Sequence, residues 1–131
     1  MIYVDTAALL AIVDTKDAHH ETAKEFWGQQ VLIANFRSNN YVVVESIALI
    51  QNRLGLKAVQ ILVDQLLPVI EIDWLEAEQH ELAVQSVLTA NRCNLSLVDC
   101  SSFESMRRLG IKTVFTFDEH FKEQGFNVIP N

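Results

Sequence analysis

The chain has 131 residues, half of them apolar and 21% charged, with a formal net charge of −7 at pH 7. That length suits one domain over residues 1–131 with a real core, and the composition excludes a disordered chain. The acidic balance excludes a passive nucleic-acid coat but not an enzyme that holds divalent cations, because a bound cation reverses the local charge.

The first residues, Met1-Ile2-Tyr3-Val4, form an apolar, β-friendly run that stops at Asp5. Thr6 follows, and Ala7 to Val13 continues at helical composition, so the chain opens as the first half of a βαβ unit. Asp14 to Asp17 is a polar break. The stretch His19 to Trp27 reads as a short amphipathic helix with Ala23, Phe26 and Trp27 on one side, ended by Gly28-Gln29-Gln30. A buried strand is expected over Val31-Leu32-Ile33-Ala34, then a capping loop over Arg37-Ser38-Asn39-Asn40. A helix from Tyr41 to Arg53 carries apolar residues on nearly every face, which predicts a buried helix.

Gly55 separates it from a helix over Lys57 to Leu67, with Val59, Leu62, Val63 and Leu66 at core spacing. Pro68 breaks that helix, and Val69 to Ile72 is a third strand. Asp73 with Glu76 reads as a capping box for a helix running to about Arg92, packed through Leu82, Ala83, Leu88 and Ala90. Ser96 to Asp99 opens the next helix, which Gly110 ends. Ile111 to Thr116 is a fourth strand, Asp118 to Lys122 a turn or two of helix, and Phe126 to Pro130 an edge strand. Strands separated by helices, with no hairpin signal, predict an α/β fold: a mostly parallel sheet of about five strands, covered on both faces.

Ligands of such sheets bind just outside the carboxyl ends of the strands. Asp5 and Asp118 both follow strands, while Asp99 and Glu45 lie near the starts of helices that feed the same edge. Taken singly, Asp5, Asp99 and Asp118 read as helix caps. Glu45 differs, because an acid inside an apolar helix must be paired, protonated or metal-bound; Arg37, Arg53 or a distant Lys is the candidate ion-pair partner. Together the acids make a cleft whose carboxylates cannot all ionise without a counter-ion. Hard oxygen donors in that number suit Mg²⁺ or Mn²⁺, the usual device of phosphoryl chemistry.

The segments Tyr3-Val4-Asp5-Thr6-Ala7-Ala8-Leu9-Leu10, Asp17-Ala18-His19-His20, Asn40-Tyr41-Val42-Val43-Val44-Glu45-Ser46, Leu97-Val98-Asp99-Cys100 and Val114-Phe115-Thr116-Phe117-Asp118-Glu119-His120-Phe121 occur in this order along the whole chain. In that order the chain resembles the PIN-domain nucleases, and among them the VapC-type toxins of toxin–antitoxin pairs. The resemblance implies a three-layer α/β/α fold and an acidic quartet at Asp5, Glu45, Asp99 and Asp118, with supporting hydroxyls at Thr6 and Thr116. It also implies an RNA substrate, one or two Mg²⁺ ions (Mn²⁺ as substitute), a cognate antitoxin protein and a homodimer. One carboxylate, Asp118 or Glu45, is expected to orient the attacking water. All four acids are present, so nothing in the motifs suggests a dead enzyme. A housekeeping PIN-type nuclease fits the same motifs.

Two other classes fit less well. A phospho-acceptor receiver needs a Lys at the end of a late strand, where this chain has Asp118. A haloacid-dehalogenase-type phosphatase wants Asp-x-Asp after the first strand, where this chain reads Asp5-Thr6-Ala7. The remaining residues take plainer roles. Cys93 and Cys100 lack the spacing of a zinc site or disulfide framework. His19, His20, His80 and His120 are expected at the surface or as caps, and Trp27 and Trp74 in packing. Arg107, Arg108 and Lys112 are expected on a solvated face, with contact to an RNA backbone as the alternative. No leader precedes the first strand and the apolar runs are far short of a membrane span, so a cytoplasmic chain is expected.

Overall fold

Short strands separated by helices have no adjacent antiparallel partner, so they pair in parallel through helical crossovers. The computed structural model describes residues 1–131 and has this arrangement. Strands β1 (Ile2–Val4), β2 (Phe36–Asn39), β3 (Ile70–Asp73), β4 (Thr113–Phe115) and β5 (Asn127–Ile129) form one sheet in the order β3-β2-β1-β4-β5. Every pairing is parallel. Helices α1 (Thr6–Val13), α2 (His20–Gln30), α3 (Asn40–Leu54), α4 (Leu56–Ile61), α5 (Ala77–Ala90), α6 (Leu97–Leu109) and α7 (Glu119–Glu123) cover both faces. None is long and apolar enough to cross a membrane.

β1 is central, and its residues Tyr3 and Val4 are fully buried with Leu9, Ile50, Leu62, Met106, Val114, Phe115 and Phe121. Phe26 packs on Phe115 with ring centroids 4.7 Å apart, and Trp27 stacks on Phe36 at the same distance. Val4 pairs with Phe115, so the next residues, Asp5 and Thr116, are brought side by side at the carboxyl edge.

The second strand lies later than the apolar run predicts. Val31 donates to the Trp27 carbonyl at 2.9 Å, and Ile33 and Ala34 donate to Gln30 at 3.0 and 2.8 Å. Those amides finish α2, which runs through Gly28, and are not free for a ladder. Leu32 and Ile33 are left 92% and 78% exposed. The expected loop is instead β2. Its residues Ser38 and Asn39 are buried because each is satisfied: Ser38 Oγ donates to the Val4 carbonyl at 2.8 Å, and Asn39 Nδ2 lies 3.2 Å from both Ser101 Oγ and Ser105 Oγ. Asn39 Oδ1 accepts from the Val42 amide at 2.9 Å and so caps α3. Asn39→Ala removes the cap and the amide donor together, with an expected loss of about 2–3 kcal/mol in denaturant unfolding.

Three further expectations are revised. In α3 only Val42, Ser46 and Ile50 are buried, a narrow stripe, and Val44 is 66% exposed, so the helix is amphipathic and Glu45 is half-buried. The helix expected over 57–67 ends at Ile61 and continues as a π-type turn, Leu62–Leu66, and a 3₁₀ turn, Leu67–Val69. The wider turn keeps Leu62 and Leu66 inside and turns Val63 outward. The capping box of α5 is Glu76 with Gln79, because Asp73 is the last residue of β3 and takes Ser105 and Arg108 instead. On α5, Leu82 and Leu88 point outward while Ala83 is buried, and Trp74 is exposed where a packing role was expected.

Candidate active site

Asp5 stands at the N-cap position of α1, yet its side chain caps nothing there. Its Oδ2 accepts from the Thr116 hydroxyl at 2.9 Å, and Thr116 Oγ1 in turn accepts from the Asp118 amide at 3.0 Å. Asp5 as a whole is 3% exposed. Burial, reinforced by the charges of Asp99 and Asp118, pushes its pKa up to about 7, against the pull of the Thr116 hydroxyl and the Thr6 amide.

Asp99 does two things. It completes the capping box of α6, accepting from the Ser96 amide at 3.1 Å while its own amide donates to Ser96 Oγ at 3.0 Å. It also faces the cluster, and burial with the nearby Asp118 raises its pKa against the Ser96 bonds and His120. Asp118 caps α7 through the His120 amide at 2.9 Å. The capping roles read from the sequence therefore hold for Asp99 and Asp118, and the same side chains converge. One ligand atom each from Asp99, Asp118 and His120 lie within 4.8 Å of one another.

His120 is the residue that the sequence reading left out of the site. Its Nδ1 is 3.0 Å from Asp118 Oδ1 and 3.9 Å from Asp99 Oδ2, with no aligned hydrogen bond to either. The signal was available: an aspartate cap accepts from the amide of the residue two on, which brings His120 close to the Asp118 carboxylate. The other histidines follow expectation, His20 Nδ1 lying 2.8 Å from the Ala11 carbonyl near the end of α1.

Glu45 lies in the second turn of α3, a helix that starts at the carboxyl edge and packs against α1 and α6. Neither expected arginine pairs with it. Arg37 holds Glu71 at 3.1 Å, and Glu45 forms no ion pair. Its carboxylate is outside the compact group of Asp99, Asp118 and His120. Thr6 and Thr116 both flank Asp5. Thr116 is bonded as described, while the buried Thr6 Oγ1 has no partner.

The donor set fits a hard divalent cation. Carboxylates crowd one edge, the innermost pushed up to a pKa of about 7 by burial and by its acidic neighbours, and a buried hydroxyl and an imidazole nitrogen nearby lack hydrogen-bond partners. Arg107 and Arg108 at the end of α6, and Lys112 after it, are exposed, and the two arginines bond within the chain. Arg108 Nε holds Glu104 at 2.9 Å, and Arg107 lies over the Phe103 and Phe126 rings and bonds Gln124 at 2.9 Å.

The PIN domain family matches residues 2–127. The chain is 32% identical over 127 residues to the 23S rRNA-specific endonuclease VapC20 of Mycobacterium tuberculosis, in strains CDC 1551 / Oshkosh and ATCC 25618 / H37Rv, covering 96% of this chain and 95% of that protein. The crystal structure of M. tuberculosis VapC20, described as a sarcin-ricin loop cleaving toxin, superposes with a TM-score of 0.86 at 29% identity over 96% of each chain. FitAcB from Neisseria gonorrhoeae shares the fold, with a TM-score of 0.71 at 16% identity over 99% of this chain and 97% of that one. A family match over nearly the full length, on a parallel sheet with its acids gathered at the carboxyl edge, means that the chain belongs to the PIN-domain family.

Proposed function

We propose that this chain is a single-domain, divalent-metal-dependent endoribonuclease and the toxin of a toxin–antitoxin pair. The observation that carries the reading is the grouping of Asp99, Asp118 and His120, with buried Asp5 joined to Asp118 through Thr116, in a chain 32% identical to a 23S rRNA-specific endonuclease. Asp5, Asp99 and Asp118 would hold Mg²⁺ or Mn²⁺, with Glu45 of α3 as the fourth acid of the set. When bound, the cation supplies Lewis acidity toward the phosphodiester and the attacking water.

The protein's own part is positioning and charge. Thr116 fixes the Asp5 carboxylate by donating to Oδ2, and Ser96 fixes Asp99 through its amide. Asp118 or Glu45, whichever does not ligate the cation directly, would orient the attacking water and accept its proton, with His120 Nδ1 3.0 Å from Asp118. An acidic chain binds RNA only where a cation screens these carboxylates, so catalysis and substrate binding share one requirement.

The test is cleavage of RNA, first a sarcin–ricin hairpin, with Mg²⁺ or Mn²⁺. Activity is expected to vanish in EDTA and return when metal is restored. Cleavage that persists in EDTA overturns the metal mechanism.

The partner reading follows from the same cleft. A cognate antitoxin gains most by offering an arginine, which pairs bidentately with a carboxylate and keeps its charge. Antitoxin affinity is therefore expected to fall at least ten-fold as Mg²⁺ rises at constant ionic strength, and to fall again in Asp99→Asn. Unchanged affinity in both measurements means that inhibition is steric and acts from outside the cleft. We also propose a cytoplasmic homodimer. The exposed apolar residues Val44, Leu54, Leu56, Ile61 and Val63 of the α3–α4 region offer a surface for a second copy, and light scattering reads the mass directly.

A further inference from the structure

The segment Asp17-Ala18-His19-His20 has no role in the metal site, yet it is held firmly. Asp17 Oδ1 accepts from the His19 amide at 2.8 Å, and His20 is tied to the Ala11 carbonyl. The His19 ring is left exposed, and it lies parallel to Phe117, with centroids 4.3 Å apart and an interplanar angle of 4°. Phe117 stands between Thr116 and Asp118, so this pair of rings borders the acidic cluster. A cleft of about 400 Å³ opens there, lined by His19, Phe117, Asp118, Lys122, Phe126 and Asn127 among others.

The lining has the features of a nucleotide site. His19 presents an exposed ring already held in a stack. Phe126 is a wall, its ring occupied by Phe103, Phe121 and the Arg107 guanidinium. Lys122 lines the cleft and is in no ion pair, whereas Arg92 and Arg108 are paired with acids. Asn127 directs its Nδ2 at Thr113 Oγ1, 3.4 Å away, which leaves its carbonyl oxygen to accept. Sequence-tolerant RNA binding combines these elements: an aromatic or imidazole face for a base and a cation for the backbone.

We propose that this cleft holds the nucleotide flanking the scissile phosphate, its base stacked on His19 and its backbone phosphate paired with Lys122. The proposal rests on the ribonuclease reading above, and it makes His19 and Lys122 substrate-positioning residues outside the metal-holding set.

The experiment is steady-state cleavage of an RNA that the wild-type protein cuts, compared with the same RNA made abasic at each nucleotide beside the mapped cleavage position. His19→Ala is expected to raise KM roughly ten-fold with kcat little changed. His19→Phe keeps a stacking face and holds KM within about two-fold of wild type. On the RNA abasic at the stacked position, wild type and His19→Ala converge to one KM. Lys122→Gln raises KM and reduces the salt slope of binding by about one unit. If alanine unfolds the segment, His19→Leu, which covers Phe117 without a π face, serves the same comparison. A KM unchanged by loss of the ring, or a penalty that persists on every abasic RNA, overturns the proposal and leaves the ribonuclease reading standing. Wild-type protein that cuts no RNA with either metal overturns the ribonuclease reading itself.

Discussion

Asp5→Asn is expected to lower kcat for RNA cleavage by about a thousand-fold or more, while the metal-free protein becomes more stable at neutral and alkaline pH. The two effects share one cause. The carboxylate is buried beside Asp99 and Asp118, so its charge is useful only when a cation is present to meet it. Several kcal/mol of charge stabilisation in the transition state corresponds to about three powers of ten in rate. Asparagine retains an oxygen for the Thr116 hydroxyl but offers no charge to the metal.

Without metal the sign reverses. The native pKa of about 7 lies above the usual aspartate value near 4. Between those values the folded state holds a proton that the unfolded chain has lost, so stability falls as pH rises through that window and stays low above it. Asparagine has no such dependence. Urea unfolding of both proteins in EDTA, from about pH 5 to about pH 8, reads the difference directly. Parallel stability profiles for the two proteins contradict the assignment, as does cleavage within ten-fold of wild type.

Divalent metal is expected to raise Tm most where Asp5 is ionised. At Mg²⁺ or Mn²⁺ near 100 times the dissociation constant, linkage gives about 2.7 kcal/mol, or roughly 5–10 °C for a chain of this size. Near pH 5 the proton on Asp5 competes with the metal, and less than half of that shift is expected. The raised pKa of Asp99 acts in the same direction. Chelation reverses the shift, and Asp5→Asn largely abolishes it. An equal shift at both pH values means that the ion binds ordinary exposed carboxylates elsewhere on this acidic surface.

The placement of Asp5, Asp99 and Asp118 was legible in the sequence because it follows from topology. A parallel sheet has one carboxyl edge, strand-end acids must lie along it, and the helix carrying Asp99 starts there. Local hydrogen bonding was legible for the same reason: the Ser96–Asp99 box and the Asp118 cap involve neighbours in the chain. Where local pattern is ambiguous, tertiary structure decided. Val31 to Ala34 is as apolar as a strand, but α2 consumed its amides, and the polar run through Ser38 and Asn39 became β2 because α6 supplied serine partners from more than sixty residues away. Glu45 looked buried because apolar residues flank it, whereas only one stripe of α3 meets the core.

The chemistry of the site depends on distance most of all. The bond from Thr116 to Asp5 joins residues 111 apart in sequence, and it lies in a pocket that excludes water from only one of the acids. The sequence by itself determined which residues carry charge and at which edge of the sheet they stand. Tertiary structure alone decided which carboxylate is desolvated and which histidine stands among the acids, because desolvation and Coulomb repulsion depend on neighbours that chain order does not reveal.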